Sequence, residues 1–168
     1  HFDLKSLAGK KVALKANYNS ADPFPATTHL DTLSAVIDVI KENGAASVAM
    51  AERSGMGVTE SVLDKMGIKE LASREGIELV ILDYLNSADW IREKPVGSHW
   101  VRGYLFPKLF READAIVQTC CLKTHRFGGQ FTMSLKNSVG MVAKKDPEDG
   151  YDYMSELHSS PNMRKLIA

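Results

Sequence analysis

Short apolar runs alternate along this chain with segments of helical periodicity. Four runs are nearly continuously apolar, as expected of strands that a sheet buries on both faces, and they span 11–16, 46–51, 77–83 and 115–122. Helices are predicted at 29–43, 59–75 and 105–112, with a break near Gly67, and 84–103 reads as irregular. This order predicts an α/β fold of the Rossmann-like three-layer type, with a mostly parallel sheet and helices on both faces, as a single domain over residues 1–168.

Ligands of such sheets bind beyond the carboxyl ends of the strands, and here three strand ends run into polar loops. The first two loops offer groups suited to an anion: Lys15, Asn17, Thr28, Glu52, Arg53 and Ser54. Glu52 is a candidate base and Arg53 an anion clamp. Thr28 has the alternative role of an N-cap, which its position before a helix favours, and Lys15 that of an ordinary edge lysine. The loop ERSGMG is no dinucleotide fingerprint, because the third glycine position falls on Glu60.

The third loop lies in a stretch, residues 115–145, that contains no Asp or Glu but five Lys and Arg residues. Lys123 and His125 alternate along an extended segment, and Gly128-Gly129 would let backbone amides approach an anion. A helix from Phe131 is predicted to place Thr132 and Lys136 on one face. We therefore predict an anion site with the following members: Lys123, Thr124, His125, Lys136 and Asn137. Within it, His125 is the candidate general acid or base, because its charge changes near neutral pH.

Metal and cluster sites find little support in the sequence. Neither HExxH, CxxC nor an EF-hand loop occurs. Adjacent Cys120 and Cys121 cannot supply the four thiolates of an iron–sulfur cluster, so none is expected within this chain. The alternative is a metal site using His125 and His158. Neighbouring cysteines cannot form a long-range disulfide framework either, which favours a reducing compartment and a cytoplasmic location.

Charge and hydropathy limit the partners that we expect. The 21 Lys and Arg balance 21 Asp and Glu, which argues against nucleic acid, and no apolar run is long enough to span a membrane. The acidic segment 145–157 is interpreted as a solvated loop, in preference to a flap that closes over a basic pocket. Because the chain starts at His1 and ends within a helical pattern, we expect it to be a fragment of a longer protein.

Two segments carry a family resemblance. CLKTHRFGGQFTMSLKNSVGMV, followed by His158, resembles the Lys-Thr-His and Leu-Lys-Asn-x-x-Gly core of the domain-of-unknown-function family DUF362, and residues 14–55 are similar to its N-terminal region. The sequence departs from the family at Ala16, where Pro is usual. The resemblance implies redox chemistry beside a ferredoxin-like iron–sulfur module, on a partner or another segment. Distant similarity to the N-terminal domain of nickel-pincer lactate racemases implies a phosphorylated cofactor near lysine and histidine.

Three functions remain open from the sequence. The first is an enzyme-like domain that binds an anionic small molecule or a phosphorylated or carboxylate-bearing cofactor at the strand ends. The second is a non-catalytic accessory module of an iron–sulfur redox assembly, docked through its charged surfaces. The third is a metal-dependent hydrolase or isomerase that uses His125 and His158.

Overall fold

The computed structural model describes residues 3–124 and 130–167. The strands in chain order are β1 Lys11–Lys15, β2 Ser47–Glu52, β3 Glu78–Ile81, β4 Trp90–Glu93, β5 Tyr104–Pro107 and β6 Ala115–Gln118. The helices are α1 Leu30–Glu42, α2 Thr59–Lys65, α3 Ile68–Glu75, α4 Lys108–Arg111, α5 Ser134–Ser138, α6 Tyr153–Ser159 and α7 Met163–Ile167. Four strands form a parallel sheet in the order β3-β2-β1-β6, which confirms the predicted α/β fold.

Helices α1, α2 and α3 cover one face of the sheet. Their buried apolar residues pack on the outward residues of β1 and β2 in one cluster: Val12, Leu14, Leu33, Ile37, Ile40, Val48, Met50, Val62, Leu63, Ile68 and Leu71. The predicted break between α2 and α3 is confirmed at Gly67, whose φ of 71° is easily reached only by glycine. The helical periodicity of the sequence was therefore sufficient to predict the three helices of this layer.

The first helix is capped by His29, so the prediction of Thr28 as its N-cap is wrong. The His29 Nδ1 atom accepts a hydrogen bond from the Asp31 amide at 3.3 Å. The Thr28 hydroxyl instead accepts from the Asn17 amide at 3.1 Å and donates to the Thr119 carbonyl at 2.8 Å. These bonds satisfy backbone groups in two partly buried loops. Such groups need a protein partner, whereas the amides of an exposed helix end can bond to water.

The opposite face is covered by a hairpin, the short helix α4 and the turn Val139–Met141. The prediction of an irregular stretch over 84–103 misses β4, which pairs antiparallel with β5. The helix predicted over 105–112 begins too early, because residues 104–107 form β5 and only α4 is helical in that range. Pro107 explains the error: a residue before proline is pushed out of the helical region, so Phe106 stays extended and the helix begins after the proline.

The acidic segment 145–157 is built into the fold, and the expectation of a solvated loop is wrong for it. Asp146 is buried and accepts hydrogen bonds from Arg92 Nη2 at 2.6 Å and from the Tyr153 hydroxyl at 2.9 Å. Asp152 accepts from the Ser155 amide at 2.8 Å and so caps α6. The segment is held because Arg92 from the hairpin pairs with the buried Asp146 carboxylate.

The strand order places a crevice where the chain changes direction in the sheet. From β1 the chain passes to β2 and β3 on one side of the sheet and returns to β6 on the other side, so β1 lies at the point where the strand order reverses. This is the position at which open α/β sheets bind ligands. Within residues 3–124 and 130–167, no helix is long and apolar enough to cross a membrane.

Candidate functional site

A cavity of about 490 Å³ lies at the carboxyl ends of the central strands. Its walls are the loops after β1, β2 and β6, together with α5, the turn that follows it, and two residues of α6. Seven of the predicted site residues line it: Lys15, Asn17, Arg53, Lys123, Thr124, Lys136 and Asn137. The three polar loops therefore converge, as the predicted topology required.

Four predicted residues are not on the described cavity wall. Glu52 lies behind Lys15, and Thr28 joins two loops as described above. The Ser54 hydroxyl, wholly buried, donates to the Tyr18 carbonyl at 2.6 Å. His125 and the Gly128-Gly129 pair fall outside the described residues.

Lys15 and Glu52 form an ion pair that is almost completely removed from water. The two side chains are 2 % and 0 % exposed, and Lys15 Nζ donates to Glu52 Oε2 at 2.7 Å and to the Ala16 carbonyl at 2.7 Å. An ammonium carries three hydrogens, and among the described residues the third has no acceptor. Lys15 lines the cavity and Glu52 does not, so Lys15 is the member of the pair that faces the cavity.

Burial affects the pKa values of Lys15 and Glu52 more strongly than their mutual attraction does. Burial lowers the pKa of Lys15 and raises the pKa of Glu52, while the charge and hydrogen bond of each partner act in the opposite direction. Glu52 Oε1 is buried and has no hydrogen-bond partner among the described residues. A buried charge pair with an unsatisfied oxygen is a poor source of stability, so its position beside the cavity points to a role in the site.

Arg53 follows Glu52 and makes no ion pair among the described residues. Burial lowers the pKa of Arg53, and the charges of Asp83, Glu52 and Asp152 oppose that effect. It is 5 % exposed, and its Nη2 donates to the Val139 carbonyl at 2.7 Å and contacts Met154 Sδ at 3.4 Å. The Nε atom is buried without a hydrogen-bond partner, and no carboxylate of the described chain lies within ion-pair distance of the guanidinium. The side chain is thus fixed in orientation while part of its donor fork is unused.

Two further lysines bring positive charge to the cavity. The Lys123 ammonium donates to the Ala26 carbonyl, and burial lowers its pKa against the opposing effect of Cys121 and Asp22. Lys136, on α5, has no hydrogen-bond or ion-pair partner among the described residues. Burial lowers its pKa, and the positive charges of Arg53, Lys123 and Lys15 lower it further.

Helix α5 starts later than predicted but still presents Lys136 to the cavity. Thr132 pairs with Lys123 in an isolated antiparallel bridge, and its amide donates to the Lys123 carbonyl at 2.7 Å. Since Thr132 is held in extended backbone, the helix begins at Ser134, and the prediction that it starts at Phe131 is wrong. Both Thr132 and Lys136 line the cavity nonetheless.

Asn137 and Gly140 fix α5 and its following turn against β1. Asn137 Nδ2 donates to the Lys15 carbonyl at 3.2 Å. A Cβ atom on Gly140 would lie 2.8 Å from Lys15 Cε and 3.1 Å from Lys15 Nζ. Any side chain at this position would therefore require the buried end of Lys15 to shift, which gives a physical reason for the glycine in the Leu-Lys-Asn-x-x-Gly string.

Sequence reasoning missed several residues of the cavity. Asn19 lines it, and its Oδ1 accepts from the Gly55 amide at 3.0 Å, tying the first loop to the second. Its alternation with Asn17 in an extended loop is a signal that could have identified it. Met56, Met133 and Met154 also contribute to the walls, and nothing in their local sequence marks them out.

The described part of the chain offers no group of side chains that supports the alternative of a metal site. There, no three His, Cys, Asp or Glu side chains are grouped so as to hold a metal ion. His158 lines the cavity, with Nδ1 2.6 Å from the Met154 carbonyl, and its proposed partner His125 lies outside the described residues. Cys121 also lines the cavity, and both cysteines are thiols rather than a disulfide.

Comparison with known proteins identifies the family of this chain and assigns no activity to it. The family model DUF362, described as a domain of unknown function, matches residues 12–167. This match covers nearly the whole chain and confirms the resemblance drawn from the Lys-Thr-His and Leu-Lys-Asn-x-x-Gly strings. No curated protein matches the chain.

Proposed function

Since the chain belongs to the DUF362 family, whose function is unknown, we propose from the cavity itself that it binds a small dianionic ligand, a phosphate ester or a dicarboxylate. The ligand's charged group contacts Arg53 and Lys136, with Lys123 close by. Lys15 supplies a further N–H from the wall. The observation that carries this proposal is the pair of cations, Arg53 and Lys136, that lack carboxylate partners in the described chain.

The charge of the lining residues favours a dianion over a monoanion. Glu52 neutralises Lys15, which leaves Arg53, Lys123 and Lys136 against the single described carboxylate of the wall, Asp22. Two positive charges therefore remain in excess around a partly enclosed space. Like charges held together in this way destabilise the empty cavity, and a dianion removes that repulsion.

The donor geometry favours an anionic group that presents several oxygens, such as a planar carboxylate or a tetrahedral phosphate. A guanidinium with unused donors can bind two oxygens of a carboxylate or phosphate at once. Lysines add point charges without directional demand, and the Asn17 amide and Thr124 hydroxyl on the wall are neutral hydrogen-bond partners. Asn137 has a supporting role, since its amide holds the Lys15 carbonyl.

The test is isothermal titration calorimetry at constant ionic strength with potassium phosphate, sodium sulfate and sodium succinate as probes. Lys136→Met removes a cation, and Arg53→Lys keeps the charge but loses the fork. Each change should weaken binding of the preferred probe by about tenfold to a hundredfold, because hydrogen bonds to charged groups contribute about 1.5–3 kcal/mol.

Lys65→Met is the matched control, because Lys65 is an exposed lysine on α2 and does not line the cavity. It removes the same net charge and should leave the affinity within about twofold, since distant exposed charges are screened by salt. Absence of binding for all three probes, or equal affinities for Lys136→Met and Lys65→Met, would contradict the proposal. Retained circular dichroism spectra establish that the variants are folded.

A further inference from the structure

The cavity is larger than a small inorganic anion bound to its cations would require. At about 30 Å³ per water molecule, 490 Å³ corresponds to roughly sixteen waters, whereas a phosphate or sulfate ion has only five heavy atoms. Cavities of this size are typical of small-molecule ligands with an organic body. Most of the space is therefore available to something other than the anionic group.

Five apolar side chains also line the cavity, and three of them are methionines. The apolar lining residues are Ala26, Met56, Met133, Val139 and Met154. Met154 contacts the same Arg53 guanidinium that we assign to the anion, so apolar surface begins directly beside the charged group. Methionine is flexible and polarisable, which suits it to apolar groups of variable shape.

Two of these methionines are at the open side of the cavity. Met56 is 47 % exposed and Met133 is 48 % exposed, although both line the wall. Neighbouring positions in the same segments carry further exposed apolar side chains: Leu122, Phe131 and Leu135. Apolar surface left in water beside a ligand cavity is surface that a ligand can bury with a gain in free energy.

We propose that the ligand is an amphiphilic anion, in which a dianionic phosphate head is attached to an extended apolar body. This inference rests on the proposed function, since the head occupies the cation cluster. The body lies along Met154 and Val139 and reaches Met56 and Met133 at the opening. The cations at one part of the wall and the apolar side chains beside them favour this class over inorganic anions, which would leave the apolar surface uncovered.

The experiment is a chain-length series of monoalkyl phosphates, from methyl to octyl, measured by calorimetry below their micelle concentrations. Each methylene buried against the wall should strengthen binding by about fourfold, the equivalent of about 0.8 kcal/mol, until the alkyl chain leaves the cavity. Met56→Ser and Met133→Ser should reduce this gain per methylene. Val96→Ser, a change at an exposed apolar residue that does not line the cavity, should not.

The outcomes separate the two proposals. If methyl phosphate binds and the longer esters bind no more tightly, the amphiphilic ligand is refuted while anion binding stands. If the protein binds vesicles of phosphatidic acid but none of the monomeric esters, a membrane surface is the occupant and the inference is likewise refuted. If neither phosphate nor any ester binds, anion binding itself is refuted. A gain with chain length that the two methionine changes reduce supports the inference.

Discussion

The buried Lys15–Glu52 pair gives a sharp prediction about stability. Glu52→Gln removes the negative charge and leaves the Lys15 ammonium, which is 2 % exposed, without its 2.7 Å counter-ion. Removing one member of a buried ion pair costs about 3–5 kcal/mol, because the charge left behind stays desolvated. A domain of ordinary stability has about 5–15 kcal/mol in total, so this single change should remove a large part of it.

The double variant Lys15→Met, Glu52→Gln should recover part of that loss. Methionine fills nearly the space of the lysine stem, and removing both charges leaves no uncompensated ion in the interior. We expect each single variant to lie at least about 2 kcal/mol below the wild type and the double variant to lie above both, although the new glutamine amide, which has no Lys15 partner, keeps it below the wild type. The double variant should nonetheless bind phosphate more weakly, because the cavity has lost the Lys15 ammonium.

Urea unfolding followed by far-ultraviolet circular dichroism measures all four proteins, with a common slope as the check that each unfolds in one step. Glu60→Gln is the control, because Glu60 forms an ion pair of similar length, 2.9 Å, with Lys69 on the surface, and its urea midpoint should hardly change. Strictly additive losses in the double variant would refute the reasoning, since they would mean that the two side chains stabilise the fold independently.

Three further changes test the site and its support. Gly140→Ala places a methyl group 2.8 Å from Lys15 Cε, so both the urea midpoint and phosphate affinity should fall; unchanged affinity would show that the lysine is not held there. The lowered pKa of Lys136 means that its charge is lost at a lower pH than that of an ordinary lysine, so sulfate affinity should decline as pH rises through that value, and Lys136→Arg should move the decline upward. Burial opposes ionisation of Asp146, but the hydrogen bonds from Arg92 and the other donors outweigh burial and lower the pKa of Asp146. The ionised carboxylate therefore stabilises the fold at pH values above the ordinary aspartate pKa, and this stabilisation is lost in acid. Asp146→Asn should lower the urea midpoint at neutral pH, and the difference from the wild type should vanish as the pH falls.

The location of the cavity could be predicted because it depends on local sequence and on one rule of topology. The predicted strands end at Ala16, Ala51 and Leu122, and parallel strands bring their carboxyl ends to one edge of a sheet. No knowledge of side-chain contacts was needed for that step. The same reasoning placed Lys123 and Lys136 together, since the segment between them is short.

The partners of the charged residues could not be predicted, because they depend on the register between strands. Leu14 pairs with Met50, so Lys15 is next to the last residues of β2, where Glu52 lies. A shift of one position would turn either side chain to the other face of the sheet. For this reason the sequence assigned Glu52 a base and Lys15 an anion contact, whereas the structure joins them to each other.

Buried hydroxyl groups misled the sequence reasoning in another way. Thr28 and Ser54 lie in loops beside the site, where hydroxyls are typical ligand contacts, yet both bond to the backbone of neighbouring loops. A loop that is buried under other loops must satisfy its own amides and carbonyls, and side-chain hydroxyls are the nearest partners. Polarity at a strand end therefore indicates a cavity without distinguishing its wall from its support.

The arrangement of charges explains why this strand edge can hold both a lysine and an arginine beside each other. Lys15 is paired with Glu52, so it adds a donor to the cavity with almost no net charge. Arg53, which follows Glu52 in the sequence, is held by a carbonyl and a thioether and has no carboxylate within ion-pair distance among the described residues. The net positive charge of the cavity wall is therefore carried by Arg53, Lys123 and Lys136 rather than by the Lys15–Glu52 pair. Under the proposed function, these cations attract the anion, and Lys15 contributes a donor with little net charge.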